Sequence, residues 1–263
     1  DKNLNQPLYS LGIMGVFTKD LDIALLNNEI DIAVHSLKDV PTILPQNIEV
    51  SAVLERDFPQ DVLVRKSSSK NKDLSELKIA TSSLRRRAFW SEKFPNTQFS
   101  DIRGNVQTRL KKLEEGDFDA TLFSLAGIKR MEMGLEYEML DFMISAPSQG
   151  VVAISSRVDD VETKAILQKI NHKTTQICVE IERNFLRTLE GGCTAPIGAI
   201  AVFEENKIKF SGRLNSLDGS KTINVVEEFE YDDSENYGKK FAEFVLENGG
   251  KEMMEEIKKQ IKE

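Results

Sequence analysis

A chain of 263 residues, 40% hydrophobic and 30% charged, with a mean hydropathy of -0.34, has the make-up of a soluble globular protein of two or three small domains. It holds no apolar run of the ~18 residues that a membrane span needs, and its opening DKNLNQPLYSLG lacks the basic and apolar regions of a secretory signal. A net charge of -8 and a pI near 5.1 argue against a general nucleic-acid binder.

Residues 17–28, FTKDLDIALLNN, predict an amphipathic helix with Phe17, Leu21, Ala24 and Leu25 on its apolar face. EIDIAVHS predicts a short strand ending at His35-Ser36, followed by the turn-rich LKDVPTILP. Strands are expected at 48–54 and 61–65, then a polar connector, KSSSKNKDLSEL. A strand–helix grammar follows. KIAT (78–81) reads as a strand, Ser82-Ser83 as a helix cap and LRRRAFWSEKF as the helix. TQFSDI reads as a strand, Arg103-Gly104 as a turn, and NVQTRLKKLEE as a helix closed by Gly116. DATLFSLAG is a further strand, with the next helix starting at IKRMEM. Strands alternating with helices imply an α/β fold with mainly parallel sheets. After SAPSQGVVAISSR the grammar changes: a helix over 174–189, the loop Gly191-Gly192-Cys193, and three alternating strands near 197–204, 207–215 and 221–231. Two terminal helices, broken at ENGG, complete a small α+β domain.

Two cysteines do not make a disulfide framework. Cys178 falls in an apolar-periodic stretch and reads as a helix-core residue, whereas Cys193 sits in EGGCTAP, a loop composition that leaves a thiol open to chemistry. His35 and His172 share no ligand spacing with either, so no metal site is expected.

In open α/β sheets ligands bind at the carboxyl ends of strands, beside the N-termini of the following helices. Three polar clusters fall there. Ser82-Ser83 with Arg85 and Arg86 forms one, and Arg103-Gly104-Asn105 with Arg109 forms another, its glycine permitting close backbone approach. Two such ends point to a ligand with several carboxylates or phosphates, which arginine binds bidentately. The alternative is a surface helix with solvated arginines. The third cluster, Ser36-Leu37-Lys38-Asp39 before Pro41, sets a hydroxyl, an ammonium and a carboxylate at a strand end, a candidate acid/base or cation-stabilising group. An isolated surface ion pair is the alternative there.

HSLKDVP at 35–41, ATSSLRRR at 80–87, IRGNVQTRL at 102–110 and LEGGCTAPIG at 189–198 resemble successive signatures of the hydroxymethylbilane synthase (porphobilinogen deaminase) family, in its order and at its spacing. GVFTKDLDIALL, DATLFSLAGIKR and SQGVVAI support the resemblance, which covers essentially the whole chain. It implies a transferase of tetrapyrrole and heme biosynthesis. Four porphobilinogen molecules would condense, with loss of ammonia, onto a dipyrromethane primer held by Cys193 through a thioether, and hydrolysis would release linear hydroxymethylbilane. By the same resemblance Asp39 is the catalytic residue, stabilising positive charge on pyrrole nitrogens. Lys38, Ser36, Ser82, Ser83, Arg85 and Arg86 would bind the cofactor, and Arg103, Arg109, Arg187 and Gln149 the substrate. Each porphobilinogen brings two carboxylates, so a cleft rich in arginine offsets a desolvation cost of several kcal/mol per unpaired charge.

The resemblance further implies two lobes like those of periplasmic binding proteins. Residues 1–55 with 147–172 would form the first and 60–143 the second, with a C-terminal domain over 174–263 carrying the cysteine loop. A cytoplasmic monomer is expected, one that hands its product to uroporphyrinogen-III synthase and engages neither nucleic acid nor membrane. Two departures stand out. The family's Thr-Arg-x-Ser-type anion-binding segment has no match, so the first lobe is expected to be incomplete at its N-terminal side. Ser10, Ile13 and Met14 also stand where the family often has lysines and Gly-Gly-Lys. The competing reading is a non-catalytic anion-binding module with an unmodified Cys193, which the mass of the 193 peptide would distinguish.

Overall fold

The structure, a computed structural model, describes residues 18–189 and 195–262. Cys193, Ser10, Ile13, Met14 and Phe17 lie outside the described residues. The fold is α/β with a C-terminal α+β domain, and its described strands form three sheets.

The first sheet has the order β1-β8-β2, from β1 (Ala33–Ser36), β2 (Ile48–Val53) and β8 (Val152–Arg157), with both pairings antiparallel. Helix α1 (Lys19–Leu26) packs on it through Leu25, which is fully buried with Ala33 and Ile48. The expected apolar face of α1 needs correcting at one position: Leu21 is 39% exposed, and Asp22 is buried. Burial lowers the His35 pKa and the charge of Asp22 opposes this, so the buried face of the helix, Asp22 with Leu25, includes a carboxylate.

The second sheet runs β5-β4-β6-β3-β7, from β3 (Asp61–Arg65), β4 (Ile79–Ala80), β5 (Phe99–Ser100), β6 (Ala120–Ser124) and β7 (Glu138–Met139). The run β5-β4-β6 is parallel, as strand–helix alternation requires, and β3 pairs antiparallel with both β6 and β7. Helices α2 (Leu84–Lys93) and α3 (Val106–Glu115) make the crossovers. Phe89 and Trp90 of α2 are fully buried against Leu63, Ile79 and Leu122. Helix α4 (Leu125–Arg130) begins three residues earlier than expected and ends before Met131, because β6 stops at Ser124 and leaves LAG free to coil. Gly116 closes α3 as expected, with φ -88, and the position needs glycine because a Cβ would stand 2.6 Å from Phe118 and 2.8 Å from Lys112 O.

Two crossovers join these lobes, residues 54–60 and 140–151. They bond to each other where Asp57 N donates to Gly150 O at 2.9 Å, and Leu54 N of the first donates to Val152 O, at the start of β8, at 2.9 Å. Gly150 has φ +84, and a Cβ there would lie 3.0 Å from Phe58 O, so only glycine lets the two strands approach this closely.

Helix α5 (Val161–Leu167) leads to the C-terminal domain, an antiparallel meander of β9 (Ile197–Glu204), β10 (Lys207–Asn215) and β11 (Thr222–Glu230). Helices α6 (Lys173–Thr188), α7 (Tyr237–Val245) and α8 (Lys251–Lys262) cover it. Phe185 of α6 meets Phe210 of β10 edge-on at 5.2 Å, and Phe241 of α7 stacks on Phe210 at 4.8 Å. The break between α7 and α8 falls at Gly249, φ +97. Glu182 of α6, fully buried, binds this domain to the crossovers by accepting from Arg56 Nη2 at 2.6 Å, Ser148 N at 2.6 Å and Ala201 N at 2.7 Å. Cys178 is buried in α6 as expected, and burial, with Glu182 adding, pushes its thiol up to about 11. It should therefore resist iodoacetamide in native protein at pH 8 and react fully after denaturation; native labelling at the 178 peptide would contradict this placement.

Candidate active site

The centre of the site is a carboxylate that sequence patterning did not single out. Asp61, the first residue of β3, is 1% exposed, and its Oδ2 lies 2.7 Å from Arg85 Nη1. Its Oδ1 accepts from Arg86 Nε at 3.0 Å, Arg86 Nη2 at 2.8 Å and Gln149 Nε2 at 3.2 Å. Burial alone would raise its pKa; the guanidinium groups of Arg85 and Arg86 reverse that and hold the carboxyl well below the usual range. Both arginines start α2, where Ser83 caps the helix by accepting from Arg86 N, and both side chains turn into the protein. Arg85 Nη1 also donates to Ile144 O at 2.6 Å and Arg86 Nη1 to Leu122 O at 2.8 Å. Thus two of the arginines expected to bind ligand carboxylates already share one protein carboxylate.

Gln149 links this network to the turn that follows β1. Its amide nitrogen donates to Pro59 O at 2.6 Å as well as to Asp61, and its Oε1 accepts from Lys38 Nζ at 3.4 Å. Lys38 and Asp39 lie on the short 3-10 turn Leu37–Asp39 that follows β1. Burial lowers the Lys38 pKa; Asp39 and Asp61 oppose this, and Arg86 and Arg85 reinforce it. The Asp39 side chain is half-buried and makes no hydrogen bond among the described residues. A small pocket opens beside this turn, lined by Ser36, Lys38, Ser124, Gly127, Arg130 and Gly150.

Arg109, on α3, donates from Nη2 to Thr121 Oγ1 at 3.0 Å and Leu122 O at 2.6 Å, and its guanidinium lies 4.2 Å from the centre of the Phe123 ring. Its Nε is buried without a hydrogen-bond partner, and no described carboxylate pairs with it. Burial, then the nearby Arg86, pulls its pKa down to about 9. A cation held in that way gains from an incoming carboxylate. The charges that sense one another here are Lys38, Arg85, Arg86 and Arg109 against Asp39 and Asp61, leaving the described cluster net positive inside an acidic chain. These observations fit a polycarboxylated group such as dipyrromethane. No group of described residues could hold a metal ion.

The other candidates sit differently. Ser82 Oγ donates to Ile102 O at 2.9 Å and accepts from Ile102 N at 3.0 Å, fastening the two strand ends that bear the arginine clusters. Arg103 is buried just beyond β5, and its carbonyl accepts from Lys112 Nζ at 3.1 Å. Gly104 beside it has φ +117, the left-handed backbone that its turn requires. Ser36 is exposed on the cleft wall. Arg187 is exposed and donates to Thr42 O at 2.5 Å, outside the Asp61 cluster. Patterning missed Asp61, whose only signal was a carboxylate opening the apolar strand DVLVR, and Arg183, which lies in the apolar-periodic stretch of α6.

Comparison with known proteins follows the same outline. Residues 1–165 match the family model described as porphobilinogen deaminase, dipyromethane cofactor binding domain, and residues 176–247 match the porphobilinogen deaminase C-terminal domain. A probable porphobilinogen deaminase of Methanocaldococcus jannaschii is 51% identical over 209 residues, 78% of this chain and 70% of that one. The porphobilinogen deaminases of Chlorobium luteolum and Desulfitobacterium hafniense are 39% and 40% identical, each over 98% of this chain and covering 85% and 84% of theirs. Among solved structures, a putative periplasmic sulfonate-binding protein of Methylobacillus flagellatus aligns over 66% of this chain and 54% of its own at 13% identity, with a TM-score of 0.34. A score that low leaves the description of the lobes to the chain's own sheets.

Proposed function

Because the chain belongs to the porphobilinogen deaminase family, we infer that the cluster around Asp61 is the site at which it carries out hydroxymethylbilane synthesis. It is a transferase that condenses four porphobilinogen molecules and releases the linear tetrapyrrole, using a dipyrromethane cofactor. The observation that carries the site assignment is Arg109, a half-buried guanidinium whose buried Nε has no hydrogen-bond partner and which has no carboxylate partner among the described residues, beside a net positive cluster and an Asp39 whose side chain makes no hydrogen bond among those residues. When bound through Cys193, dipyrromethane supplies the pyrrole terminus to which each new unit is joined.

This chain's residues then divide the work. Lys38, Arg103 and Arg109 receive acetate and propionate groups, each charge-assisted hydrogen bond replacing water lost on entry. Arg85 and Arg86 act with Asp61 as a preorganised pair, presenting the edges that Asp61, Ile144 O and Leu122 O leave open. Asp39 holds its carboxylate against the pyrrole nitrogen that becomes positive as ammonia departs and again as the new carbon–carbon bond forms, before the ring proton is lost. Gln149 keeps Lys38 in register with Asp61, and so acts by position. Ser36 offers a hydroxyl at the cleft wall; Ser82 and Ser83 shape the strand end and helix start that hold the arginines. Arg187 meets later units of the growing chain from the surface.

In domain terms, residues 1–55 with 147–172 and residues 60–143 form the two walls, and 174–263 delivers the cysteine loop. No helix among the described residues is long and apolar enough to cross a membrane. We place the protein in the cytoplasm as a monomer that passes its product to a uroporphyrinogen-III synthase. The test is consumption of porphobilinogen with release of ammonia and a uroporphyrin precursor, together with a ladder of protein masses rising by one pyrrole unit per addition. Cys193→Ser is expected to lose the ladder and the turnover. Binding of porphobilinogen without consumption would instead support an anion-binding module, and normal turnover by Cys193→Ser would remove the tether.

A further inference from the structure

The turn that carries Lys38 and Asp39 is held from two sides. At its entry Leu37 N donates to Val151 O at 2.9 Å, in the crossover beside Gln149. At its exit one side chain of the C-terminal domain gathers the backbone carbonyls: Arg183 Nη1 donates to Val40 O at 3.0 Å and more weakly to Leu37 O at 3.4 Å, and Nη2 donates to Pro41 O at 2.6 Å. Arg187, one turn further along α6, donates to Thr42 O at 2.5 Å. α6 ends at Thr188, five residues before Cys193. Carbonyls at the end of a helical turn carry partial negative charge and need donors, and a planar guanidinium fork spans two of them where an ammonium meets one.

We propose that Arg183 is a positioning residue for the condensation: by clamping Val40 O and Pro41 O it sets where Asp39 stands relative to the arginine cluster, without itself touching a substrate. The proposal rests on the assignment of Asp39 above. Its carboxylate makes no described hydrogen bond of its own, so its place is fixed through the backbone that bears it. A displacement on the order of 1 Å at a reacting group costs roughly 100-fold in rate.

The test compares Arg183→Met and Arg183→Lys in holoenzyme, in otherwise wild-type protein and in an Asp39→Glu background. Intact mass, melting temperature, and kcat and KM for porphobilinogen are read for each. The expected result is retained cofactor mass, KM within about twofold, and kcat lowered roughly 10- to 100-fold for Arg183→Met and less for Arg183→Lys. In the Asp39→Glu background, where the carboxylate is already misplaced, the same change should cost less than about threefold, because two residues acting through one group are not additive. A simple structural brace would cost the same in both backgrounds, and that equality overturns the proposal. So does a raised KM with unchanged kcat, which would make Arg183 a carboxylate binder. Should Arg183→Met not fold, Arg183→Lys carries the same comparison. If the wild-type protein consumes no porphobilinogen, the functional reading itself has failed; if it does and Arg183→Met keeps full kcat, only the positioning role has.

Discussion

Asp39→Ala is expected to fold, to load its cofactor and to lose porphobilinogen turnover by about 10²- to 10⁴-fold, the range for removing a group that stabilises transition-state charge or moves a proton. The expectation of an intact fold comes from the geometry. Asp39 is half-buried on a turn whose backbone is held by Val151 O, Arg183 and Arg187, and no described hydrogen bond involves its side chain. Removing the carboxylate therefore breaks no hydrogen bond among the described residues, and Lys38 and Arg86 keep Asp61 as a counter-charge. Single-turnover measurement of ammonia release separates this from weakened binding: the chemical step should slow while substrate affinity changes little. Turnover like that of the wild type would remove Asp39 from the reaction.

The largest expected effect on stability belongs to Asp61→Ala. It deletes the carboxylate that pairs directly with Arg85 and Arg86, both less than 10% exposed, and also removes a partner of Gln149. Breaking a buried ion pair from one side costs about 3–5 kcal/mol, because the remaining charges stay buried. For a chain of this length that is a fall in melting temperature of roughly 6–20 °C. Asp61→Asn keeps the shape and part of the hydrogen bonding and should fall between. The sign of the pH dependence follows from the depressed Asp61 pKa. Its contribution is present above the unfolded carboxylate value of ~3.9 and is lost as pH falls below it toward the folded value. Wild type should thus lose stability on the acid side more steeply than Asp61→Asn. A melting temperature for Asp61→Ala within about 2 °C of wild type, under 1 kcal/mol on the same scale, would mean that the arginines are not held by Asp61.

What the sequence made legible divides by range of interaction. The strands of the C-terminal domain were readable to within a residue, since each alternates apolar and polar positions over eight or nine residues against a single buried face. The N-cap at Ser83 and the left-handed Gly104 were equally local. The site's wiring was not. Arg85 and Arg86 read as open anion binders from their place at a helix start, but the carboxylate they share arrives from another strand, and nothing within a helical turn announces it. Gln149 likewise read as a substrate contact, and the structure spends its amide on Pro59, Asp61 and Lys38. The face of α1 was misjudged at Leu21, since the positions that the helix buries are Asp22 and Leu25. Motif order identified the family; only packing shows which arginines are already paired.

The most direct measurement is the mass of the native protein, followed by mapping of the peptide that contains Cys193. A dipyrromethane adduct on that sulfur, present before any substrate is added and absent from the 178 peptide, is the expected result. A bare Cys193 thiol in protein that still consumes porphobilinogen would contradict a primer tethered within this arginine cluster.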